Sequence, residues 1–208
     1  MYTPSSFKET DPQVIIDFVK AHSFGLFFSQ HTETPWATHL PFMLDIQDGE
    51  LIGLVTHMAR ANKHWRAIHP SKQVLAAFQG PHTYVTPSWY ADRVTVPTWN
   101  YASVHIQGTP TVIHDVTELR EIVTDLTYHH EQQVTTDWDL KEGEETIDTE
   151  LKAIVGIYIR ITDISAKFKF NQNRSVEDQQ GVIDGLEREK GEAAKPVVDI
   201  MKKNLQKK

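Results

Sequence analysis

The sequence predicts an α+β fold with a mainly antiparallel, barrel-like sheet and helices at both ends of the chain. Three observations lead to this prediction. About six strand-like runs lie on mostly short connections, which favour antiparallel pairing. Helical patterns begin and end the chain, and another helix separates the last two strands. The glycine-rich motifs of dinucleotide-binding folds and phosphate-binding loops do not occur, which disfavours a parallel sheet of that type.

The N-terminal half begins with a helix pattern at residues 11–22, where Pro12 suits the first turn and apolar residues recur at helical spacing. A short helix is expected at 62–69, before Pro70. Asp48-Gly49 predicts a tight hairpin turn. Four strands are predicted around these features, at residues 24–30, 38–44, 51–56 and 73–79.

The C-terminal half begins with residues 80–98, whose three prolines and many aromatic residues predict a structured loop. In the long strand expected at 101–113, alternation places Ala102 and Val104 on one face and His105 on the other. Asp115 suits the N-cap of the following helix. The remaining predicted elements are a helix at 115–132, a strand at 153–164 and helices at 175–187 and 193–205.

The net charge of the chain is −7, from 21 basic and 28 acidic residues among 208. An acidic balance disfavours a broad nucleic-acid-binding face. The charge is uneven, because residues 137–150 contain seven acids and one lysine, whereas 195–208 contain five lysines and one aspartate. These runs predict a solvated acidic loop and a last helix with a basic face, with nucleic-acid contact at the tail as the alternative.

The chain has no cysteine, which excludes disulfides, thiolate metal sites and a cysteine nucleophile. The absence fits a reducing compartment. No apolar run approaches the length of a membrane span, and the first residues lack the charged and apolar regions of a signal peptide. We therefore expect one cytoplasmic domain.

The segment from Thr56 to Trp65 is a candidate anion site, because a strand ends there and a helix begins. The free N–H groups of a helix start attract phosphate. Arg60 and Lys63 add positive charge, and Thr56 and Asn62 add neutral donors. The alternative interpretation is a polar surface loop with two cations.

Aromatic residues concentrate at 79–90 and 96–101, which contain three of the six tyrosines and two of the five tryptophans. Such a cluster can wall a flat ligand, with Asn and His fixing its orientation. The alternative is a small core under a long loop. The eleven histidines do not indicate a metal site, since His129 and His130 point about 100° apart on a helix. No catalytic acid or base is identified.

Four segments of the chain resemble the PaiB-type family, within the FMN-binding split-barrel class. They are HMARANKHW at 57–65, GPHTYVTPSWY at 80–90, VPTWNYASVH at 96–105 and KFNQNRS at 169–175, with GVI following at 181–183. The resemblance implies a split β-barrel at residues 1–165 that includes the N-terminal helix. It implies a helical segment at 166–208 packed on the barrel, as one domain overall. It also implies a homodimer with FMN pockets at the subunit interface.

The same resemblance implies three groups of cofactor-binding residues. The phosphate group comprises Thr56, His57, Arg60, Asn62 and Lys63. The residues that approach the flavin ring, or line the partner's side, are Trp99, Asn100 and His105. The residues that close the pocket are Lys169, Asn173 and Arg174.

Two roles follow for a chain of this family: a flavin-linked oxidoreductase, or a flavin-responsive negative transcriptional regulator of protease production and sporulation. Two alternatives stay open. One is a DNA-binding repressor without flavin activity, and the other is a haem-binding split-barrel relative. The sequence does not decide whether the chain is an enzyme.

Overall fold

A computed structural model describes residues 1–31, 34–134 and 137–206. Its helices are α1 (Pro12–Ala21), α2 (Val116–Glu131), α3 (Glu144–Glu150), α4 (Val176–Lys190) and α5 (Lys195–Leu205). Its strands are β1 (Lys8–Glu9), β2 (Phe24–His31), β3 (Thr34–Pro41), β4 (Met43–Gln47), β5 (Glu50–Ala59), β6 (Val74–Val85), β7 (Thr98–Ile113) and β8 (Ile154–Lys169). Short 3-10 helices lie at Ser5–Phe7, Lys63–Ala67, Pro87–Trp89, Leu140–Gly143, Leu151–Ala153 and Gly191–Ala194.

The strands form one sheet in the order β3-β2-β6-β7-β8-β5-β4, with β1 paired to β8. The pairings β1–β8, β2–β3, β2–β6, β4–β5 and β5–β8 are antiparallel. The predicted α+β class with a mainly antiparallel sheet is therefore confirmed. No helix within the described ranges is long and apolar enough to cross a membrane.

The strand expected at 38–44 is divided at Phe42, which is one reason for the higher number of strands. The Phe42 N–H donates to the Ser23 carbonyl at 2.9 Å, and its side chain is fully buried. The chain then leaves β2, because Met43 pairs with Val55 of β5. The hairpin turn between β4 and β5 is confirmed, since Asp48 and Gly49 have φ angles of 51° and 82°.

The acidic run is helical, which corrects the prediction of a loop. Asp139 accepts a hydrogen bond from the Lys141 N–H at 2.8 Å, and the Asp139 N–H donates to Glu142 Oε1 at 3.0 Å. This reciprocal capping box starts a 3-10 helix that leads into α3. The solvent exposure of most of the run agrees with the prediction.

Several other predicted elements have different bounds, including the strand expected at 153–164, which is longer and ends at Lys169. The expected loop at 80–98 is shorter, because β6 continues through Pro81 to Val85 and β7 begins at Thr98. The expected helix at 62–69 is a five-residue 3-10 helix, Lys63–Ala67. The α2 cap is as expected, since Asp115 accepts from the N–H groups of the second and third helical residues.

The chain forms two compact units, and β6, β7 and β8 each run from one into the other. The first unit contains residues 1–15, 79–104 and 165–208, and the second contains 16–78 and 105–164. The expected division of the chain at residue 165 stays a prediction.

In the second unit, α2 packs on β8 over Gly156. A Cβ atom at Gly156 would lie 3.0 Å from Ile122 Cδ1 and 3.1 Å from Leu119 Cδ2. Both α2 residues belong to the apolar stripe of the helix and are buried. The small residue therefore lets the helix approach the sheet closely.

In the first unit, two glycines of α4 lie against Trp89. A Cβ atom at Gly181 would clash with the Trp89 carbonyl oxygen, and one at Gly185 would lie 2.5 Å from the indole ring. The Trp89 Nε1–H donates to Glu189 Oε1 at 3.0 Å. The four-residue spacing of the glycines gives α4 a flat face for this contact.

Candidate functional site

The expected phosphate-binding residues lie in the second unit, at the end of β5, in the turn that follows and at the start of the 3-10 helix Lys63–Ala67. Thr56 is fully buried, and its Oγ1 donates to the Pro41 carbonyl at 2.6 Å. The hydroxyl therefore serves the packing of β5 against the end of β3. Among the five residues expected to bind the phosphate, Thr56 therefore has a supporting position at the end of β5.

Arg60 is fixed to the chain that leads into β8. Its Nε donates to the Lys152 carbonyl at 2.9 Å and its Nη2 to the Ile154 carbonyl at 2.8 Å. Its main-chain N–H donates to the Ala153 carbonyl at 2.7 Å. The acceptors are neutral, and Arg60 forms no ion pair with any residue that the structure describes. The positive charge of Arg60 is thus held in place without a carboxylate.

Asn62 and Lys63 complete the cationic segment, defined here as residues 60–63. The Asn62 Oδ1 accepts from the His64 N–H at 3.0 Å and caps the 3-10 helix. The Asn62 Nδ2 donates to Thr38 Oγ1 at 3.3 Å. Lys63 is exposed and makes no ion pair within the described part of the chain. The segment therefore presents two cations next to a fixed amide.

His64, directly after this segment, is fully buried and holds it to two strands. Its Nε2 lies 2.8 Å from Ser29 Oγ and its Nδ1 lies 2.7 Å from Thr38 Oγ1. The rings of Phe27 and Trp36 lie 4.9 Å and 5.6 Å from the imidazole. Burial lowers the pKa of His64 to about 4, so the ring is neutral near pH 7.

The sequence pattern did not predict this histidine network. Its partners lie 35 and 26 residues earlier in the chain, and neither Ser nor Thr in a strand signals a buried histidine partner. The one feature of the sequence that pointed to His64 is its position between Lys63 and Trp65, in a segment that resembles the family.

His57 faces away from Thr56, because successive residues of a strand point to opposite sides. It is half-buried and lines a cavity of about 420 Å³ in the second unit. Its Nδ1 is buried and has no hydrogen-bond partner among the described residues. Burial lowers the pKa of His57, which favours the neutral ring. The structure therefore does not bring His57 to the side where Thr56 lies.

The first unit carries an aromatic surface formed by His82, Tyr84 and Trp99. Trp99 is 54% exposed and Tyr84 is 40% exposed. The Trp99 ring lies 5.9 Å from the Tyr84 ring and 6.3 Å from the His82 ring. Trp89 and Tyr90 of the same sequence cluster are buried. Both interpretations of the cluster thus hold for part of it: one part is core, and one part is a solvent-facing wall.

Lys169 lies beside this surface. Its Nζ donates to the Trp99 carbonyl at 2.8 Å and to Thr98 Oγ1. Burial, and then the charge of Lys167, lower the pKa of Lys169. The ammonium is therefore held against the main chain at the start of β7.

Asn100 and His105 follow Trp99 on β7. Asn100 is fully buried in the first unit, where its Nδ2 lies 3.5 Å from Met201 Sδ. Its Oδ1 has no partner in the described ranges. His105 belongs to the second unit and is half-buried, and burial lowers its pKa. Asn100 and Trp99 point to opposite sides of the strand.

Asn173 and Arg174 lie between β8 and α4 in the first unit. Asn173 is exposed. The Arg174 guanidinium lies 4.9 Å from the centre of the Tyr90 ring, and its Nη2 donates to Thr95 Oγ1 at 2.6 Å. Arg174 therefore fixes the connection between β6 and β7, which contains Tyr90 and Thr95.

The basic tail is partly neutralised. Lys195 pairs with Asp199 and Lys202 pairs with Glu187, each at 2.6 Å. The last two lysines, Lys207 and Lys208, lie outside the described residues. Among the residues described, no three His, Cys, Asp or Glu side chains are grouped so that they could hold a metal ion.

A sequence model of the family described as "Putative FMN-binding domain" matches residues 1–163. A curated relative from Bacillus subtilis, "Protease synthase and sporulation protein PAI 2", is 37% identical over 209 residues, covering all of this chain and 99% of the relative. Both findings confirm the resemblance identified from the four motifs.

Two solved structures share the fold. The flavocytochrome Anf3 from Azotobacter vinelandii has a TM-score of 0.57 and 14% identity, over 78% of this chain and 69% of that one. The FAD and heme binding protein from Mycobacterium smegmatis has a TM-score of 0.56 and 16% identity, over 78% of this chain and 73% of that one. These likenesses confirm the expected split-barrel fold class.

Proposed function

Since the chain belongs to the PaiB-type family of FMN-binding domains, we propose that it binds FMN, with the phosphate held by the cationic segment. The observation that carries the proposal is the pair of cations at Arg60 and Lys63. Neither is neutralised by a described carboxylate, and one is fixed by main-chain carbonyls. A phosphate dianion supplies the missing counter-charge.

The remaining polar residues of this segment act as positioning groups in the proposal. The Asn62 side chain caps the 3-10 helix and contacts Thr38, and Thr56 ties β5 to Pro41. These bonds fix the direction of the main chain between the two cations. His64 adds further anchors, at Ser29 and at the same Thr38 hydroxyl. The phosphate would therefore meet charges whose positions are set before it binds.

In the proposed homodimer, the aromatic surface of the first unit faces the flavin ring of the FMN that the partner subunit binds. Trp99 offers an exposed flat face, and the Lys169 ammonium lies beside its main chain. Aromatic stacking suits the planar ring system. The further residues expected near the ring or its cover stay proposals in supporting roles, namely Asn100, His105, Asn173 and Arg174.

FMN supplies electron transfer when it is bound, and the protein supplies binding and orientation. Arg60 and Lys63 would carry the phosphate charge of the bound FMN, and Trp99 would shield one ring face of the FMN held by the partner subunit. No acid or base for a substrate is identified among the residues that the structure describes. A flavin-linked oxidoreductase and a flavin-responsive regulator use the same binding groups, so the first question is binding.

A homodimer is part of the proposal. The first unit exposes Val94 and Val96, at 92% and 73% exposure, near Trp99 in sequence. Exposed apolar side chains in one segment favour a protein interface. Light scattering of the purified chain tests this: a mass of two chains supports the dimer, and a single-chain mass at micromolar concentration contradicts it.

The experiment for binding is a titration of FMN with purified protein, followed by flavin fluorescence. Lys63→Ala removes an exposed cation and should weaken binding about tenfold, because a charge-assisted contact contributes roughly 1.5 kcal/mol. Lys20→Ala, an exposed lysine at the end of α1, is the matched control and should bind as the wild type. Wild-type protein that leaves FMN fluorescence unchanged at micromolar concentration would sink the proposal.

A regulatory role is the second candidate, and its support is the name and full-length identity of the Bacillus subtilis relative. Gel shifts with candidate operator DNA over a salt series, with and without FMN, test it. Binding that weakens steeply with salt and is lost on deletion of residues 202–208 supports contact through the basic tail. A Soret band after haem addition would favour the haem-binding alternative instead.

A further inference from the structure

We propose that three lysines on one face of β1 and β8 bind the carboxylate of a small aromatic acid, which is the class of substrate held beside the flavin. These residues, Lys8, Lys167 and Lys169, are called the lysine cluster below, and all three belong to the first unit. The role of the ligand as a substrate rests on the proposed FMN site, since Trp99 next to the cluster faces the flavin ring in the proposed homodimer. The place of the carboxylate rests on the contacts of the lysines themselves.

The pairing of β1 with β8 brings the three lysines together. Lys8 lies opposite Lys167 in the antiparallel ladder, and such residues have side chains on the same face, about 5 Å apart at Cβ. Lys169 follows two residues later on β8, so it shares this face about 7 Å further along the strand. Its Nζ donates to the Trp99 carbonyl at 2.8 Å. Three positive charges are therefore close enough to contact one anion or to act on it through their charge.

Lys167 is the inner member of the cluster, and only 9% of it is exposed. Its Nζ lies 5.6 Å from the centre of the Tyr2 ring and 5.3 Å from that of the Tyr101 ring, and it donates to the Tyr2 carbonyl at 3.2 Å. These contacts fix the ammonium but bring no negative charge. A lysine this deeply buried usually has a charged partner. No carboxylate in the described ranges forms an ion pair with any lysine of the cluster.

A ligand reaches the cluster through its two outer members. Lys8 is exposed and Lys169 is half-buried, whereas Lys167 acts from beneath through its charge. An ammonium has three N–H donors, and the described hydrogen bonds of Lys169 use two, to Trp99 and Thr98. Burial, and then the charge of Lys167, lower the pKa of Lys169. A bound carboxylate would offset this repulsion and would keep Lys169 charged.

The neighbouring residues favour an aromatic acid over a neutral or cationic molecule. The strands of the first unit contain one acid, Glu9, which follows Lys8 and so points to the opposite side. Its Oε1 accepts from the Thr10 N–H at 2.8 Å. Beside the cluster lie the half-buried Tyr101 and the exposed Trp99, whose rings suit a flat ligand. A carboxylate on the lysines would therefore place the flat part of its molecule toward Trp99.

Three probes of similar size and different charge test the site: 2-naphthoate, the neutral 2-naphthamide and the cationic 2-naphthylmethylamine. Equilibrium dialysis of the full chain, with and without saturating FMN, measures their affinities. We expect 2-naphthoate to bind at least about tenfold more tightly than 2-naphthamide, and the cation to bind most weakly. The preference for 2-naphthoate should decrease as sodium chloride is added, because salt screens the lysine charges.

Two single variants assign this preference to the cluster. Lys167→Met keeps an unbranched side chain between the two tyrosine rings and removes the charge, and Lys8→Gln removes an exposed charge. Each should reduce the preference for 2-naphthoate over 2-naphthamide at least about threefold, with circular dichroism as the check on folding. Lys203→Gln, at an exposed position of α5, is the matched control and should keep the full preference. Because Lys8 is exposed, its variant stays informative even if Lys167→Met does not fold.

Three results would overturn the inference: equal binding of 2-naphthoate and 2-naphthamide to the wild type, an unaltered preference in Lys8→Gln and Lys167→Met, or displacement of 2-naphthoate by FMN. Displacement would show that the lysines hold the cofactor phosphate. Failure of FMN to bind contradicts the proposed function and is seen in the FMN titration alone. The dialysis without FMN decides the carboxylate site in either case, so the two failures are distinguishable.

Discussion

The Nε2 atom of His64 lies 2.8 Å from the Oγ atom of Ser29, and neither side chain is in open contact with solvent. The opposite ring nitrogen lies 2.7 Å from Thr38 Oγ1. Both nitrogens are therefore used within the second unit. This places an uncharged histidine directly after two surface cations, and it ties the cationic segment to β2 and β3.

The first prediction concerns stability against pH. The pKa of His64 is lowered to about 4, from a usual value of 6.5, so the unfolded chain binds the proton first as the pH falls. Stability from this group is complete above pH 6.5 and is lost progressively as the pH falls toward 4. The upper limit of this loss is roughly 3–4 kcal/mol, at about 1.4 kcal/mol per pKa unit.

Urea unfolding at pH 7.5, 6 and 4.5 measures this loss. His64→Gln retains hydrogen-bonding groups but does not titrate, so the variant should show a smaller fall in unfolding free energy between pH 7.5 and 4.5 than the wild type. The same fall in both proteins would show that other groups, such as His57 and His105, cause the pH dependence.

The second prediction concerns the contact of α4 with Trp89. Gly181→Ala places a methyl group against the Trp89 carbonyl oxygen, which belongs to the main chain and cannot rotate away. Overpacking costs roughly 1–3 kcal/mol, and the helix propensity of alanine offsets up to about 1 kcal/mol of it. We expect a net loss of about 1–2 kcal/mol in thermal or urea unfolding.

The control for this prediction is Gln180→Ala, at an exposed position of the same helix, which should change stability by less than about 0.5 kcal/mol. If Gly181→Ala were as stable as the wild type, the close approach of α4 to Trp89 would be wrong.

The third prediction concerns the acidic run. Asp139→Ala removes the acceptor for the Lys141 N–H. The substitution should lower the stability of the local helical segment by about 1 kcal/mol. Asp137→Ala removes an acid before the cap and should have little effect. Amide exchange over residues 140–150 is the most direct measurement, with faster exchange expected only in Asp139→Ala. Equal exchange in both variants would contradict the capping box.

The fold was predictable from the sequence in those elements where periodicity and turn chemistry agree. The alternation around Val104, the Asp115 cap and the Asp48-Gly49 turn each appear in the structure as expected. The prediction of a loop at the acidic run was wrong. The charge of the run is typical of a loop, whereas the Asp139–Glu142 spacing forms a capping box that begins a helix. Charge composition describes the exposure of a segment and does not determine its secondary structure.

The candidate site was predictable in part. The cations at Arg60 and Lys63 were identified from their position after a strand, since both the charges and the strand end are visible in sequence. The side to which His57 points was missed, because it depends on the strand continuing to Ala59, beyond its expected end at residue 56. The His64 network was missed because its partners are distant in the chain.

Whether the cationic segment holds the phosphate is decided by a calorimetric titration of FMN into the wild-type chain, Lys63→Ala and Lys20→Ala. We expect saturable binding to the wild type, similar binding to Lys20→Ala and about tenfold weaker binding to Lys63→Ala. Equal affinity of all three proteins would show that the phosphate is not held by the cationic segment. The absence of binding to the wild type would contradict the proposed function itself.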